Sequence, residues 1–414
     1  MTAHSRVRVT SEVGPLRAVM CHTPGAELLA VTPSTREDFL YDDIIDLDRA
    51  RAEHQRFTSI LGHFAQVVHV RELLAEIADL PEVRTFLIER VMEVARSEPL
   101  AKQLLDLPAA ALVGLLVEGR EVEGGPLQAL LNLESYELPP LPNLFFTRDS
   151  AMVVGDAVII GSMRFTVRWT EELLMKALFK YHPALGNAGM IYDGSEERRA
   201  GYTLEGGDVH VLRPDLVLLG MSERSSPSAF DLVAEGLVLH GVRDIFIAVL
   251  PTERAMIHLD MIFSMVDREH CVVYPPSFVG PTRVPILHYR AGRAGVREMP
   301  NLFAGLREVG LPLSPVFCGG ARRTIQEREQ WASGCNFVAV RPGVILGYSR
   351  NRETFRELER EAGYRVLDAD EFLANPREIP DGHKVAIGFE GSELVRGGGG
   401  GRCMTMPLVR DDIW

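Results

Sequence analysis

A repeated pattern of strand and helix signals is the feature that most limits what this chain can fold into. Pairs of apolar runs joined by turn residues occur at residues 152–160, 209–219, 261–274 and 337–348. Such pairs are typical of β-hairpins. A fainter pair opens the chain, with residues 7–9 and 18–21 on either side of Gly14-Pro15. The pattern therefore predicts up to five hairpins.

Helical periodicity follows several of these hairpins, at residues 169–179, 229–239, 301–309 and 352–362. A unit of hairpin, helix and strand cannot bury its apolar face alone, whereas several copies packed around a common centre can. We therefore predict an α/β fold, a propeller of five such units with five-fold pseudosymmetry.

One segment departs from the repeat. Residues 71–120 are rich in Leu, Ala and Glu with helical spacing, and Pro81, Pro99 and Pro108 divide them into short helices. We predict a small helical bundle at residues 71–140, inserted into a catalytic propeller domain formed by residues 1–70 and 141–414. Its apolar stripes are expected to be core, and part of them could form an oligomer interface.

Charge and cysteine content limit the partners and the compartment. The 414-residue chain has a net charge of −13 and no long basic run, which argues against nucleic acid and anionic membranes as partners. No apolar stretch is long enough to span a bilayer, and the first residues lack the apolar segment of a signal peptide. Five cysteines without a C-x-x-C pair favour a reducing, cytoplasmic location over a disulfide framework or a zinc site.

Titratable residues stand directly before the predicted hairpins. Asp149 precedes the first, Glu205 precedes the second, and His258 and Asp260 precede the third. If the units surround a common axis, these side chains meet near it. Asp208, which follows Glu205 closely, either lies in a turn, the reading we favour, or orients His258.

Cys403 can join this cluster because five glycines, residues 397–401, lead into it. A neighbouring arginine lowers a thiol's pKa, and the thiolate is the attacking species. A thiolate with a histidine is a nucleophile with an acid–base partner. Carboxylates would repel an oxyanion but match a planar guanidinium. The residue types therefore favour substitution at a guanidinium carbon, although the Gly run alone could also be an exposed linker with an incidental cysteine.

Several stretches together resemble the arginine deiminase family, within the guanidino-group modifying enzymes, over nearly the whole chain. They are residues 11–14 (SEVG), 22–25 (HTPG), 142–149 (PNLFFTRD), 204–208 (LEGGD), 220–226 (GMSERSS), 258–260 (HLD), 347–351 (GYSRN) and 402–407 (RCMTMP). The resemblance implies a five-fold propeller and a hydrolase of arginine catabolism that converts L-arginine to L-citrulline and ammonia. It implies no metal or organic cofactor, and a homo-oligomer, either a dimer or a tetramer.

The resemblance also implies catalytic roles. Cys403 would attack the guanidinium carbon and form a covalent thiouronium intermediate. His258 would give a proton to the departing ammonia and then activate water. Asp149 and Asp260 would hold the guanidinium nitrogens, and Glu205 would bridge the guanidinium and His258.

Four further residues would bind the amino-acid end of the substrate. Arg168 and Arg224, with Asn143, would hold the α-carboxylate, and the Phe146 backbone would help to hold the α-amine. Some family members carry an arginine within the Gly run that is thought to gate the site; here residues 397–401 are all glycine and Arg396 precedes them. We therefore expect a more mobile loop in the empty enzyme.

Two other classes of function remain open on the sequence alone. Another guanidino-group enzyme, an amidinotransferase or an agmatine deiminase, would share the chemistry up to the thiouronium. A non-catalytic arginine-binding protein would share the fold but would not require Cys403 and His258.

Overall fold

The computed structural model describes residues 7–95, 97–122, 125–127, 136–186, 188–196, 201–376 and 379–414. Its strands are β1 (Leu16–Cys21), β2 (Gln66–His69), β3 (Arg120–Glu121), β4 (Tyr136–Leu138), β5 (Ala151–Val154), β6 (Ala157–Ile160), β7 (Gly189–Asp193), β8 (Val209–Arg213), β9 (Leu216–Met221), β10 (Asp244–Val249), β11 (Phe263–Met265), β12 (His270–Val273), β13 (Ile286–Arg290), β14 (Val296–Met299), β15 (Ser314–Phe317), β16 (Val338–Arg341), β17 (Val344–Tyr348), β18 (Arg365–Asp368), β19 (Val385–Phe389) and β20 (Met406–Arg410).

The described α-helices lie between these strands. They are α1 (Leu47–Gly62), α2 (Val70–Ile77), α3 (Pro81–Ala95), α4 (Glu98–Leu105), α5 (Ala109–Glu118), α6 (Trp169–Tyr181), α7 (Pro227–Leu239), α8 (Pro275–Phe278), α9 (Leu302–Glu308), α10 (Arg323–Trp331), α11 (Arg352–Ala362) and α12 (Ala369–Ala374). Within the described part of the chain, every helix is too short or too polar to cross a lipid bilayer.

The protein has a mixed α/β fold in which one strand arrangement recurs. An antiparallel pair is extended by a third strand parallel to the middle one in five sheets: β5-β6-β7, β8-β9-β10, β11-β12-β15, β16-β17-β19 and β20-β1-β2. Strands β13 and β14 extend the second of these sheets, and β18 extends the fourth. The four strong hairpins and the helices after them are thus confirmed, each to within a few residues.

The fainter opening hairpin is wrong. Strand β1 pairs antiparallel with the C-terminal strand β20, with Met20 opposite Met406, rather than with residues 7–9. The N-terminal segment is drawn to other partners, because Arg8 bridges Val409 and Val9 bridges Gly155. The two ends of the chain therefore complete one sheet together.

The helices α2 to α5 occur where the prolines predict them. Pro81 is the first residue of α3, Pro99 lies in the first turn of α4, and Pro108 caps α5. Their buried side chains belong to one apolar cluster with those of β5, β6 and α6. Phe86 of α3, for example, packs edge-on against Tyr181 of α6 with ring centroids 5.6 Å apart. The segment is thus packed against α6, the helix of the β5-β6-β7 sheet.

The candidate site residues lie at equivalent ends of these hairpins. Asp149 stands just before β5, Glu205 before the 3-10 turn that leads into β8, and His258 before the 3-10 turn that leads into β11. Cys403 stands three residues before β20. The repeat therefore positions chemically different side chains at one end of four sheets.

Candidate active site

The five residues expected to carry the chemistry form one buried cluster. Asp149, Glu205, His258, Asp260 and Cys403 are each at most 5% exposed. His258 contacts Asp149 and Glu205, and Cys403 contacts Asp260. Beside them is a small cavity of about 20 Å³, lined among others by Asp149, His258 and Cys403.

Two carboxylates flank the imidazole of His258. Its Nε2 atom lies 2.9 Å from Glu205 Oε2, and its Nδ1 atom lies 3.7 Å from Asp149 Oδ1. Burial disfavours the charged ring, but Asp149 and Glu205 outweigh burial and raise the pKa of His258 to about 9. The ring is therefore held as an imidazolium at neutral pH, a state that can give a proton to a leaving group.

Glu205 is held ionised in spite of its complete burial. Its Oε2 atom contacts Arg224 Nη1 at 3.3 Å and lies 3.7 Å from Arg168 Nη1. Burial alone would raise the pKa of Glu205, but Arg224, His258 and Arg168 lower it to about 2. Glu205 thus meets both the histidine and the two arginines.

The thiol of Cys403 faces a carboxylate rather than an arginine. Asp260 Oδ2 lies 3.4 Å from Cys403 Sγ, while Arg402 directs its guanidinium to Asp260 and Glu12. Burial raises the pKa of the Cys403 thiol well above its ordinary value, Asp260 and Asp149 raise it further, and Arg402 only partly opposes them. The expectation that the neighbouring arginine would activate the thiol is wrong for the empty site, because the Arg402 guanidinium is paired with the carboxylates of Asp260 and Glu12.

Asn336 is a site residue that the sequence analysis missed. Its Nδ2 atom donates to Cys403 Sγ at 3.0 Å, and its Oδ1 atom accepts from the backbone N–H groups of Arg402 and Cys403. Asn336 stands before the fourth strong hairpin, the same place in the repeat as Asp149 before the first. Its position before a hairpin could have identified it, but the residues predicted from this position were titratable, and an amide does not titrate.

The four residues expected to bind the amino-acid end also line the cavity: Asn143, Phe146, Arg168 and Arg224. Arg168 is heavily engaged, because Glu171 accepts from its Nε and Nη2 atoms and Asp149 Oδ2 accepts from its Nη1 atom at 2.7 Å. Arg224 is freer, since its Nε atom has no partner and its guanidinium lies over the Phe165 ring.

The amide of Asn143 is also engaged, since its Nδ2 atom donates to the Phe39 carbonyl at 2.8 Å. The structure therefore brings all four binding candidates to the cavity, with two of them, Arg168 and Asn143, already bonded to protein groups.

Asp208 lies in a 3-10 turn, as favoured from the sequence, yet its side chain is buried. Ser222, Ser225 and the backbone N–H of Leu259 donate to its carboxylate. Burial raises the pKa of Asp208 to about 7 even though these donors favour its charged form. A residue of a simple surface turn would be solvated instead.

The Gly run packs closely against the site and is not an exposed linker. A Cβ atom on Gly399 would lie 2.4 Å from Phe146 Cε1, and one on Gly397 would lie 2.9 Å from Phe146 Cζ. Gly398 has a positive φ of 86°, a conformation that favours glycine. Tyr348 donates to the Gly399 carbonyl and fixes the loop. Glycine is therefore required here for close approach.

One trio in the described chain has ligand atoms spaced for a metal ion: Asp149, Glu205 and His258, within 4.8 Å of one another. Arg168 and Arg224 already contact these carboxylates. A divalent cation would therefore have to lie beside two guanidinium groups, which repel it. The same oxygens suit a guanidinium ligand better.

Comparison with known proteins gives one consistent family. The arginine deiminase family profile matches residues 37–410. Arginine deiminases from Streptococcus gordonii and Streptococcus uberis are 31% and 32% identical, each over 100% of both chains. The arginine deiminase of Treponema denticola is 30% identical over 98% of this chain and 99% of its own.

Solved structures share the fold at low identity. The amidinotransferase SxtG from Microseira wollei has a TM-score of 0.55 at 11% identity, covering 98% of each chain. The product-bound N-terminal domain of ArgZ, a cyanobacterial arginine dihydrolase, has a TM-score of 0.52 at 14% identity, covering 95% of this chain and 97% of its own. These likenesses concern the fold alone, whereas the full-length sequence matches show that the chain belongs to the arginine deiminase family.

Proposed function

We propose that this protein hydrolyses L-arginine to L-citrulline and ammonia through a covalent intermediate on Cys403. Beyond family membership, one observation carries the proposal. Asp149 Oδ1 and Asp260 Oδ1 are buried carboxylate oxygens without a hydrogen-bond partner. Asp260 lies beside the Cys403 thiol, and Asp149 lies beside the His258 ring. A guanidinium group would supply the missing donors to both.

The substrate's charge would also activate the nucleophile. The pKa of the Cys403 thiol is raised by burial and by Asp260 and Asp149, so the empty site holds the thiol protonated. A guanidinium cation between these carboxylates cancels their effect and favours the thiolate, and the thiol proton leaves to solvent as substrate binds. Activation therefore accompanies binding, which agrees with the acidic surroundings of the thiol.

The first chemical step forms a bond between Cys403 Sγ and the guanidinium carbon. The C–N bond to one terminal nitrogen then breaks, and protonated His258 gives that nitrogen the proton with which it leaves as ammonia. The product of this step is a cysteine-linked thiouronium. Its positive charge lies between Asp149 and Asp260, whose fixed carboxylates stabilise it without reorganisation.

The second step uses water. Neutral His258, having lost its proton, takes one from a water molecule, and the resulting hydroxide attacks the thiouronium carbon. The C–S bond breaks, the thiolate of Cys403 is restored, the proton of the new hydroxyl group leaves to solvent, and citrulline is released. Glu205, 2.9 Å from His258 Nε2, holds the ring and stabilises its charged form through both steps.

To bind the α-carboxylate, Arg168, Arg224 and Asn143 would have to exchange some of their present hydrogen bonds to protein groups for hydrogen bonds to the substrate. Arg224 has an unpartnered Nε atom available. Arg168 would release Asp149, which then becomes free for the substrate guanidinium. Breaking the Arg168–Asp149 ion pair would thus free Arg168 for the α-carboxylate and Asp149 for the guanidinium. The Phe146 backbone would hold the α-amine, while its ring lies against the Gly run.

We also infer the arrangement around this site. The five recurring sheets would surround a common centre as a five-fold α/β propeller of residues 1–70 and 141–414, because their equivalent ends meet at one cluster. Residues 71–140 would be an insert, and the chain would form a homo-oligomer, a dimer or tetramer. Five free cysteines support a cytoplasmic location.

The test is to measure citrulline and ammonia release from L-arginine by the wild type, Cys403→Ala and Cys21→Ala. Cys21 is also a buried free cysteine but lies in β1. Equal amounts of the two products from the wild type and Cys21→Ala, and none from Cys403→Ala, are expected. Turnover of agmatine in place of arginine, amidino transfer to an added amine, or binding of arginine without products would each overturn the proposal in favour of the corresponding alternative.

A further inference from the structure

We propose that Asp208 is a positioning residue that holds His258, Glu205 and Arg224 in register through one buried carboxylate. This inference rests on the proposed arginine hydrolysis and extends it beyond the residues that touch substrate. Asp208 contacts none of the reacting groups by hydrogen bond, yet its three donors lead to three different parts of the site.

The direct contact fixes the segment that carries the histidine. Asp208 Oδ1 accepts from the backbone N–H of Leu259 at 2.8 Å. Leu259 lies between His258 and Asp260, so one hydrogen bond anchors the backbone of the acid–base residue and of the carboxylate that faces the thiol.

Two indirect contacts pass through serine hydroxyls. Ser225 Oγ donates to Asp208 Oδ2 at 2.6 Å and accepts from the Glu205 backbone N–H at 3.1 Å. Ser222 Oγ donates to the same Asp208 oxygen at 2.6 Å and accepts from the Arg224 backbone N–H at 3.0 Å. The carboxylate is therefore linked to the histidine's main partner and to a candidate α-carboxylate ligand.

The direction of these bonds depends on the carboxylate. Above about pH 7, where Asp208 is mostly ionised, its carboxylate only accepts, and each serine hydroxyl has one proton. With both hydroxyl protons directed to Asp208, the oxygen lone pairs of the serines are left to accept from Glu205 and Arg224. Because both hydroxyls bind the same oxygen, Oδ2, an amide would turn its NH₂ group either to both hydroxyls or to the Leu259 N–H. Either placement would disturb that order.

Glycines make room for the arrangement. A Cβ atom on Gly220 would lie 2.4 Å from Asp208 Oδ1. A Cβ atom on Gly207 would lie 2.5 Å from His258 Nδ1. A buried carboxylate is costly unless its bonds are satisfied, and here it has three donors at 2.6–2.8 Å. The contact set explains why an acidic residue occupies a fully buried position.

The experiment compares Asp208→Asn with Asp267→Asn. Asp267 is a matched control because it is also buried and accepts from two backbone N–H groups and from Tyr364 Oη, but it lies at the β11–β12 turn away from the cavity. We expect kcat for arginine to fall roughly 100-fold in Asp208→Asn, as displacement of catalytic groups by about 1 Å does, and KM to rise. Asp267→Asn is expected to lose thermal stability but to keep kcat and KM.

Ser225 links Asp208 to Glu205, and Ser222 links it to Arg224, so variants of the two serines should change different kinetic constants. A purely structural role would not produce this difference. Ser225→Ala, on the link to Glu205, is expected to lower kcat with little change in KM, and Ser222→Ala, on the link to Arg224, to raise KM with a smaller change in kcat. These variants keep the proposal testable if Asp208→Asn fails to fold. If the wild type releases no citrulline, the proposed function fails; if it does and the Asp208 and serine variants match Asp267→Asn in kcat and KM, the positioning role is overturned.

Discussion

Asp260 Oδ2 accepts a hydrogen bond from Arg402 Nη1 at 2.9 Å and lies 3.4 Å from Cys403 Sγ. One carboxylate oxygen therefore stands between the arginine and the thiol that adjoin each other in the sequence. The Arg402 guanidinium pairs with Asp260, and the group that faces the Cys403 thiol is the Asp260 carboxylate rather than the guanidinium. In the proposed mechanism, Cys403 is therefore a poor nucleophile until the guanidinium cation enters the site.

The reactivity of Cys403 should show this directly. In the empty wild type, alkylation by iodoacetamide is expected to be slow at pH 7 and to keep rising above pH 9, because burial and Asp260 raise the pKa of the thiol. Asp260→Asn removes a facing negative charge and should speed alkylation at pH 7.5 by about tenfold, since one pKa unit is tenfold in thiolate at this end of the titration. Mass spectrometry of Cys403 measures the rate, and Asp267→Asn is the control. A wild-type midpoint below pH 8 would contradict the account.

The charge of His258 gives a second pH prediction. Its pKa is raised to about 9 because Asp149 and Glu205 outweigh burial. Its contribution to stability is therefore fully present below about pH 6.5, the ordinary value, and is lost as pH rises through about 9. Glu205→Gln should move that midpoint down.

Selective ¹⁵N-histidine NMR, with His258 assigned from the spectrum of His258→Gln, measures this midpoint. A His258 midpoint at or below 6.5 in the wild type would show that burial, rather than the carboxylates, dominates.

Much of this site follows from local sequence, and the remainder depends on distant pairing. The hairpins could be predicted because alternating apolar runs and turn residues are local signals, and their equivalent positions led to Asp149, Glu205 and His258. The pairing of β1 with β20 could not, because no short turn joins the two ends of the chain. The direction of the Cys403 pKa shift could not be predicted from the sequence either, because it depends on which groups the Arg402 guanidinium contacts.

The 3-10 turn after Glu205 has no room for a side chain at its second glycine. A Cβ atom on Gly207 would lie 2.5 Å from Nδ1 and 2.6 Å from Cγ of His258. Because Glu205 holds the ring on its other nitrogen, Gly207→Ala must displace either the ring or the turn. We expect kcat for arginine to fall roughly 100-fold, measured by citrulline release. Gly62→Ala, at the end of α1 with no atom within 4 Å of its Cβ, should keep full activity, and equal activity of the two variants would refute the argument.

Loss of the Arg402 side chain should lower the free energy of unfolding of the protein as well as disturb the site. Its Nε and Nη2 atoms donate to the two oxygens of Glu12, and its Nη1 atom donates to Asp260, all within a buried cluster. Arg402→Gln leaves these carboxylates uncompensated, and breaking a buried ion pair in this way costs about 3–5 kcal/mol. Urea unfolding measures the free energy of unfolding.

Arg396, six residues earlier, is the matched control because its ion pair with Asp43 is solvent-exposed, with 41% of the arginine side chain accessible. Exposed pairs contribute about 0–1 kcal/mol, so Arg396→Gln should unfold almost as the wild type does. The buried pair has the larger effect because water can replace the lost guanidinium around Asp43 but cannot reach Glu12, which is only 8% exposed. Similar losses of stability in the two arginine variants would mean that Glu12 and Asp260 are compensated by their other neighbours, and the prediction for Arg402 would then be refuted.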